Sequence, residues 1–141
     1  MPRIVVGVDG SEHAGRAVRW AVEEARLRGA ELELIHAVPE RDMPGYPGVP
    51  TPPPLEDLRA AGIELIDESL EGVRTGQVGI ERTAESGSPA RRLCKAAEGA
   101  DLLVVGARGY GGFRGLLLGS VTQQVVAHAP CPVVVVVPED R

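Results

Sequence analysis

The sequence predicts a doubly wound α/β fold built on one parallel sheet. Five short apolar runs alternate with stretches of helical periodicity along the 141 residues, which is the βαβ rhythm of a parallel sheet. Capping and stop residues stand at most of the boundaries between them. A chain of 141 residues fits a single domain, which we place at residues 1–141, and it can bury roughly two thirds of its unfolded surface.

The first strand and first helix follow each other directly. The first helix is expected to begin after Ser11, a good N-cap residue, and to run to Arg28, where Gly29 ends it. Within that helix Trp20 lies near helical spacing with small apolar residues, so we expect it in the core. The strands are predicted at residues 4–8, 32–38, 78–83, 102–105 and 133–137.

The second and third helices are separated by the third strand. The second helix is predicted over residues 55–73. Ser88 caps a third helix that opens with Pro89 and ends near residue 98, since proline is favoured in the first turn. Residues 39–54 are rich in proline and glycine, and they form either a lid over a ligand or a disordered connector.

The fourth helix and fifth strand close the fold. The helix is predicted to start at Ser120 and to end near His128, because Pro130 cannot continue it. In the last turn, His128 is placed to interact with the helix dipole, which we prefer to a catalytic role. The apolar run at residues 133–137 is far shorter than the roughly 20 residues of a membrane span, so we expect a buried strand and no membrane insertion.

Charge and cysteine usage exclude several classes of protein. A net charge of -5 opposes binding to nucleic acid, which depends on clustered basic residues. Cys94 and Cys131 form no CxxC pair, so we expect ordinary buried thiols and no metal site. Nothing in residues 1–8 resembles an export signal, and we therefore expect a cytoplasmic protein.

The stretch that predicts a ligand lies between the fourth strand and the fourth helix. Gly106 and Gly109 are followed, after nine residues, by Gly119 and Ser120. In open parallel sheets, ligands bind beyond the carboxyl ends of the strands, and helix N-termini present unpaired amides to anions. Glycines let the backbone approach phosphate oxygens closely. The pattern indicates a phosphate-binding loop, although ordinary turn glycines would account for Gly106 and Gly109 equally well.

Two charged residues near this loop have open roles. Arg108 lies inside the loop and either meets a phosphate or is merely solvated, and the same holds for Arg114. Asp9 ends the first strand, which places it opposite the loop if that strand is central. Its carboxylate could accept ribose hydroxyl groups, or it could cap the helix next to Ser11.

Two common nucleotide motifs are absent. The loop contains no lysine after Gly119, so it is not a Walker loop. The first strand is followed by Gly-Val-Asp-Gly-Ser-Glu at residues 7–12, which does not match the dinucleotide motif G-x-G-x-x-G.

With these residues assembled, the chain closely resembles the universal stress protein family along essentially its whole length. The matching segments are IVVGVDGS at residues 4–11, IHAV at residues 35–38, G-x-x-G-(nine residues)-G-S at residues 106–120, GLLLGSV at residues 115–121 and HAPCPV at residues 128–133. Spaced glycines followed by serine or threonine are typical of the ATP-binding branch of that family.

The resemblance implies an adenine nucleotide alpha hydrolase-like fold, with four helices around a five-stranded parallel sheet in the order 3-2-1-4-5. It also implies an ATP site, with Mg²⁺ as an optional companion. Asp9 would contact the ribose or adenosine, and the backbone of Ala37 would contact adenine, although a larger apolar residue is frequent there. The phosphates would be surrounded by Gly106, Arg108, Gly109, Gly119, Ser120 and Val121.

Members of the family commonly form homodimers through the last strand. An apolar edge strand at residues 133–137 is consistent with this, since unprotected edges tend to pair. The resemblance thus implies a homodimer as well as a nucleotide ligand.

Three functions remain open. We favour a nucleotide-dependent regulator of the stress response that binds ATP without turnover and has no catalytic residue. The second is a slow ATPase or phosphotransferase, in which Ser120 binds Mg²⁺ or accepts phosphate and Asp9 positions water. The third is a dimeric interaction module that the nucleotide only stabilises. The sequence does not distinguish ATP from AMP or cyclic AMP, because all three share adenosine and a phosphate.

Overall fold

The sheet has the strand order implied by the resemblance. The computed structural model describes residues 1–39, 47–48, 53–108 and 118–138. Its strands pair in parallel in the order β3-β2-β1-β4-β5. β1 is central, with β2 and β3 on one side of it and β4 and β5 on the other. The strand order therefore reverses between β1 and β4, and their carboxyl ends form the switch point of the sheet. The strands are β1 (Arg3–Gly7), β2 (Glu31–Val38), β3 (Ile80–Ser86), β4 (Leu102–Gly106) and β5 (Val133–Val136).

Helices cover both faces of the sheet, as a parallel sheet requires. Alternate strand residues such as Ile4 and Val6 pack under α1 and α2, whereas Val5 and Leu103 pack under α3 and α4. None of the helices that the structure describes combines the length and apolar composition needed to cross a membrane. The helices are α1 (Glu12–Arg28), α2 (Leu55–Leu70), α3 (Pro89–Ala96) and α4 (Ser120–His128).

The predicted start of α1 is confirmed by its cap. The Ser11 hydroxyl oxygen accepts a hydrogen bond from the Ala14 amide at 3.1 Å. Gly29 ends the helix with φ 64°, a left-handed conformation that glycine adopts without strain. The predicted cap of α3 is also present, since the Ser88 hydroxyl accepts from the Arg91 amide at 3.4 Å.

Two helices end earlier than predicted. We expected the second helix to reach residue 73 and the third to reach residue 98, but they end at Leu70 and Ala96. At Glu71 the backbone has ψ 130°, and Gly72 follows with φ 73°. The backbone at Glu71 and Gly72 is therefore not helical, and α2 ends before them. The apolar side chains on either side, Leu70 and Val73, still have helical spacing.

The third strand lies further along the chain than the predicted residues 78–83. Val78 belongs to a turn, because its amide donates to the Thr75 carbonyl at 3.1 Å. The strand begins at Ile80 and continues until Ser86 pairs with Val38. Its second half is polar and lies on the edge of the sheet, where hydropathy does not mark the end of a strand.

Three other predictions have mixed outcomes. Trp20 is half-buried, and it packs against the core cluster under α1 and α2 from its rim. Cys94 and Cys131 are free, half-buried thiols that pack against the other cluster, and burial raises the pKa of both. The question of whether residues 39–54 form a lid falls largely outside the described residues.

Gly62 of α2 is in close contact with β2. A Cβ atom at this position would lie 2.7 Å from His36 Cδ2 and 3.1 Å from Ala84 Cβ. The His36 ring cannot move away freely, because its Nδ1 is hydrogen bonded to the Val8 carbonyl at 2.8 Å. This helical glycine is therefore required by close packing.

We predict that Gly62→Ala lowers the free energy of unfolding by about 1–2 kcal/mol. Overpacking costs up to about 3 kcal/mol, and the better helix propensity of alanine offsets about 1 kcal/mol of it. Urea denaturation measures the difference. Gly15→Ala in α1 is the matched control, because the nearest atom to its added Cβ is Arg19 Nη1 at 3.6 Å. It should gain up to about 1 kcal/mol, and a loss of stability equal to that of Gly62→Ala would contradict the packing argument.

Candidate functional site

A tight turn follows β1 at the switch point. The Ser11 amide donates to Asp9 Oδ1 at 2.9 Å, and Gly10 has φ 84°. Asp9 thus has the structural role next to Ser11 that the sequence left open. Its side chain is nevertheless exposed, and an ionised carboxylate has about four acceptor positions. The turn leaves acceptor capacity that a ligand hydroxyl can use.

The two ends of the glycine-rich loop are joined by hydrogen bonds. The Gly119 amide donates to the Ala107 carbonyl at 2.8 Å. The buried Thr122 hydroxyl donates to the Gly106 carbonyl at 2.7 Å. These bonds bring the end of β4 to the start of α4 whatever path the intervening residues take. Thr122 was not among the predicted site residues. A threonine in the first turn of the helix after the loop could have indicated a side-chain bond back to the strand end.

Gly106 is a glycine because of what lies next to it. A Cβ atom there would be 2.6 Å from the His13 carbonyl oxygen and 2.9 Å from His13 Cβ. Gly106 is not among the glycines of the described chain with positive φ, so a left-handed turn does not explain it. The loop therefore starts directly against the backbone of the first turn of α1.

The second glycine of the loop's described part is at the start of α4. Gly119 is the N-cap residue with φ -72° and ψ 166°, and its carbonyl accepts from the Gln123 amide at 2.9 Å. Ser120 is exposed, and Val121 is half-buried against the core cluster under α3 and α4. The first-turn amides of a helix have no intrahelical acceptor, and a glycine cap supplies no side-chain oxygen. This end of α4 can receive an anion.

The carboxyl end of β2 adjoins the β1 turn. The Val8 amide donates to the Ile35 carbonyl at 2.8 Å, which extends the pairing of β1 with β2 past the strand end. The bond between His36 Nδ1 and the Val8 carbonyl at 2.8 Å secures the same junction. Ala37 follows, half-buried and paired in register with Glu85. The sequence analysis gave His36 no separate role, although it is a polar ring in an apolar strand.

His13 is the other residue that the sequence analysis missed. Its Nδ1 is buried, and it has no hydrogen-bond partner in the part of the chain that the structure describes. Burial lowers the pKa of His13, and the guanidinium groups of Arg108 and Arg16 lower it further, against the opposing carboxylates of Glu12 and Asp9. Asp9 and Arg108, which come from different loops, thus act on the same imidazole.

The structure brings most of the predicted residues to one edge of the sheet. Asp9 follows β1, Gly106 ends β4 and Arg108 lies just beyond it, and Gly119 caps the helix that begins at Ser120. Gly109, together with Arg114, lies outside the described residues. Among the residues that are described, no group of three or more His, Cys, Asp or Glu side chains could hold a metal ion.

A separate groove of about 660 Å³ lies between α3 and the end of α4. Its walls include Arg91, Lys95, Glu98 and His128. None of the predicted ligand residues that the structure describes lines it.

Residues 1–137 of the chain match the family model described as the universal stress protein family. The chain is similar to universal stress protein Rv2623 of Mycobacterium tuberculosis, with 37% identity over 134 residues and 94% of this chain covered. It spans 44% of the length of that relative. A universal stress protein of Thermus aquaticus is 38% identical, with 94% of this chain and 96% of that protein covered.

Solved structures share the fold. Universal stress protein UspA from Lactobacillus plantarum superposes with a TM-score of 0.78 and 27% identity, covering 96% of this chain and 97% of that one. A universal stress protein in complex with cAMP has a TM-score of 0.66 and 31% identity, covering 96% and 95%. The sheet order, the family model and these relatives agree, and the chain belongs to the universal stress protein family.

Proposed function

We propose that the chain is an ATP-binding regulator of the stress response that acts through binding and not through turnover. The observation that carries this proposal is the loop between β4 and α4, whose ends are joined at Ala107 and Gly119 and which starts directly against His13. Such a loop presents backbone amides to an anion from a rigid base. The 31% identical relative in complex with cAMP supports an adenine nucleotide as the ligand.

Each predicted residue has a role in this proposal. Asp9 accepts hydrogen bonds from the ribose, and the backbone of Ala37 contacts adenine. Mg²⁺, where present, enters with the phosphates and is not held by a protein cage. The phosphates are held by Gly106, Arg108, Gly109, Gly119, Ser120 and Val121.

We favour ATP over AMP and cyclic AMP because two sources of positive potential flank the proposed phosphate site. Glycines stand at both ends of the loop, and the N-terminus of α4 and Arg108 provide the two sources of positive potential. A triphosphate carries more negative charge than a monophosphate and gains more from this potential. The proposed regulation then follows from mass action, since a ligand that binds the native state stabilises it.

We predict that isothermal titration calorimetry will detect ATP binding, and that ADP, AMP and cyclic AMP will bind more weakly. Ser120→Ala removes an exposed hydroxyl and should weaken ATP binding by roughly tenfold, the effect of losing one hydrogen bond of about 1.4 kcal/mol. Gly106→Ala should abolish binding, because the new Cβ would overlap the His13 carbonyl. Each titration is repeated with and without Mg²⁺.

The matched control for the site is Asp57→Asn beside Asp9→Asn. Both aspartates are exposed, and Asp57 lies in the first turn of α2, away from the loop. Asp9→Asn should weaken ATP and adenosine alike, since its partner is the ribose, whereas Asp57→Asn should leave both unchanged. Absence of binding by every nucleotide would overturn the proposal.

We also predict that no catalytic turnover accompanies binding. Incubation of the protein with ATP and Mg²⁺ should release ADP no faster than a buffer blank does. ADP formation that disappears in Gly106→Ala and Asp9→Asn, but not in Asp57→Asn, would favour the slow ATPase instead.

We further propose a homodimer that forms through β5. This strand is at the edge of the sheet, and each of its valines is half-buried. The Leu103 and Ala107 amides donate to the Pro132 and Val136 carbonyls, so alternate residues of β5 bond to β4. The backbone amides and carbonyls of the intervening β5 residues point away from β4. An edge of this kind is a template for a second strand.

We predict that light scattering after gel filtration will give twice the chain mass of 14.8 kDa. Val137→Lys places a charge just beyond β5 at a side chain that is 41% exposed, and it should shift the protein toward monomer. Val126→Lys is the control, because Val126 is 51% exposed and lies on α4 and not on the strand β5. A dimer that survives Val137→Lys and dissociates with Val126→Lys would place the interface elsewhere.

A further inference from the structure

His13 is placed beneath the start of the loop by the packing of α1. Its backbone carbonyl and Cβ are the atoms that a side chain at position 106 would strike. It belongs to the first turn of α1, which begins at Glu12 directly after the Ser11 cap. The three atoms nearest to such an added Cβ all belong to His13.

The imidazole has an unmet hydrogen-bonding capacity. Its Nδ1 is buried and is without a hydrogen-bond partner among the described residues. A buried polar nitrogen in this state destabilises the protein until something pairs with it. The other two histidines differ, because His36 Nδ1 is bonded to the Val8 carbonyl and His128 is exposed.

Four charged groups act on the imidazole, from α1 and from both loops. Arg108 and Arg16 disfavour its cationic form, while Glu12 and Asp9 favour it. Arg16 and Glu12 form a salt bridge with each other at 3.1 Å, so their effects on His13 oppose each other at close range. Arg108 and Asp9 are the pair that the proposed ligand engages, and the ligand therefore changes the potential at His13.

We propose that His13 is a further residue of the nucleotide site, which faces the phosphates and takes up a proton when a polyphosphate binds. This inference rests on the proposed function. Burial disfavours the cationic ring first and Arg108 adds to this; phosphate oxygens beside Arg108 offset its positive potential, and they supply acceptors for a protonated ring nitrogen. Adenosine has no phosphate and leaves the ring as it is.

The sign of the pH dependence follows from linkage. Burial and Arg108 hold the pKa of free His13 below its ordinary value, and bound phosphates raise it. Protonation therefore favours the complex, and ATP binds more tightly as pH falls from the bound pKa to the free pKa. Each pKa unit between the two states is a tenfold change in affinity.

The test measures proton uptake by calorimetric titration of ATP in buffers of different ionisation enthalpy, between about pH 5.5 and 8. ATP has its own titrating phosphate, so the informative quantity is the difference between the wild type and His13→Gln, which keeps a polar side chain but cannot titrate. We expect the wild type to take up a larger fraction of a proton with ATP, a smaller one with AMP and none with adenosine. His128→Gln, at the far end of α4, should match the wild type.

A second measurement uses the wild-type protein and does not depend on any variant being folded. The Cε1–Hε1 resonances of the three histidines report their pKa values directly by NMR, with and without saturating ATP. The pKa of His13 should rise on ATP binding.

The outcomes separate the two proposals. If no nucleotide binds at any pH, the proposed function and this inference both fail. If ATP binds, but its proton uptake is the same in wild type and His13→Gln and the His13 resonance keeps its pKa, only this inference fails.

Discussion

The candidate site depends on the contact between the end of β4 and the first turn of α1. Gly106 lies so close to the His13 backbone that no side chain fits between them, and Thr122 and Gly119 then join α4 to the same strand end. Three elements from distant parts of the sequence are thereby held at one point. A ligand that contacts these three strand and helix ends meets groups that are already held in place, so its binding costs little conformational entropy there.

Most of the fold could be predicted from the sequence because the signals were local. The Ser11 cap, the Gly29 stop and the end of α4 before Pro130 follow from the effect of single residues on the local backbone. The third strand was placed too early, since its polar second half is specified by pairing with β2 and not by its own hydropathy. Strand order came from the family resemblance, because spacing alone does not fix which strands are neighbours.

The site could be predicted only in part, for the same reason. Glycine spacing indicated the loop, and Asp9 was placed opposite it by topology. His13, His36 and Thr122 were missed because their roles exist only between elements: each contacts the backbone of a residue at least 16 positions away or lies against it. Gly106 was predicted to contact phosphate, and its close approach to α1 is a property of the packed structure that the sequence does not display.

The hydrogen bond from the Ala107 amide to the Val136 carbonyl has a consequence for communication within an assembly. Ala107 is the first residue after β4, and Val136 is the last residue of the edge strand β5. In an oligomer built on that edge, a single hydrogen bond would therefore separate the interface strand from the start of the loop. Thermodynamic linkage then requires reciprocity: whatever self-association does to ligand affinity, the ligand does equally to self-association. A four-residue strand would serve as the transmitting element between subunits.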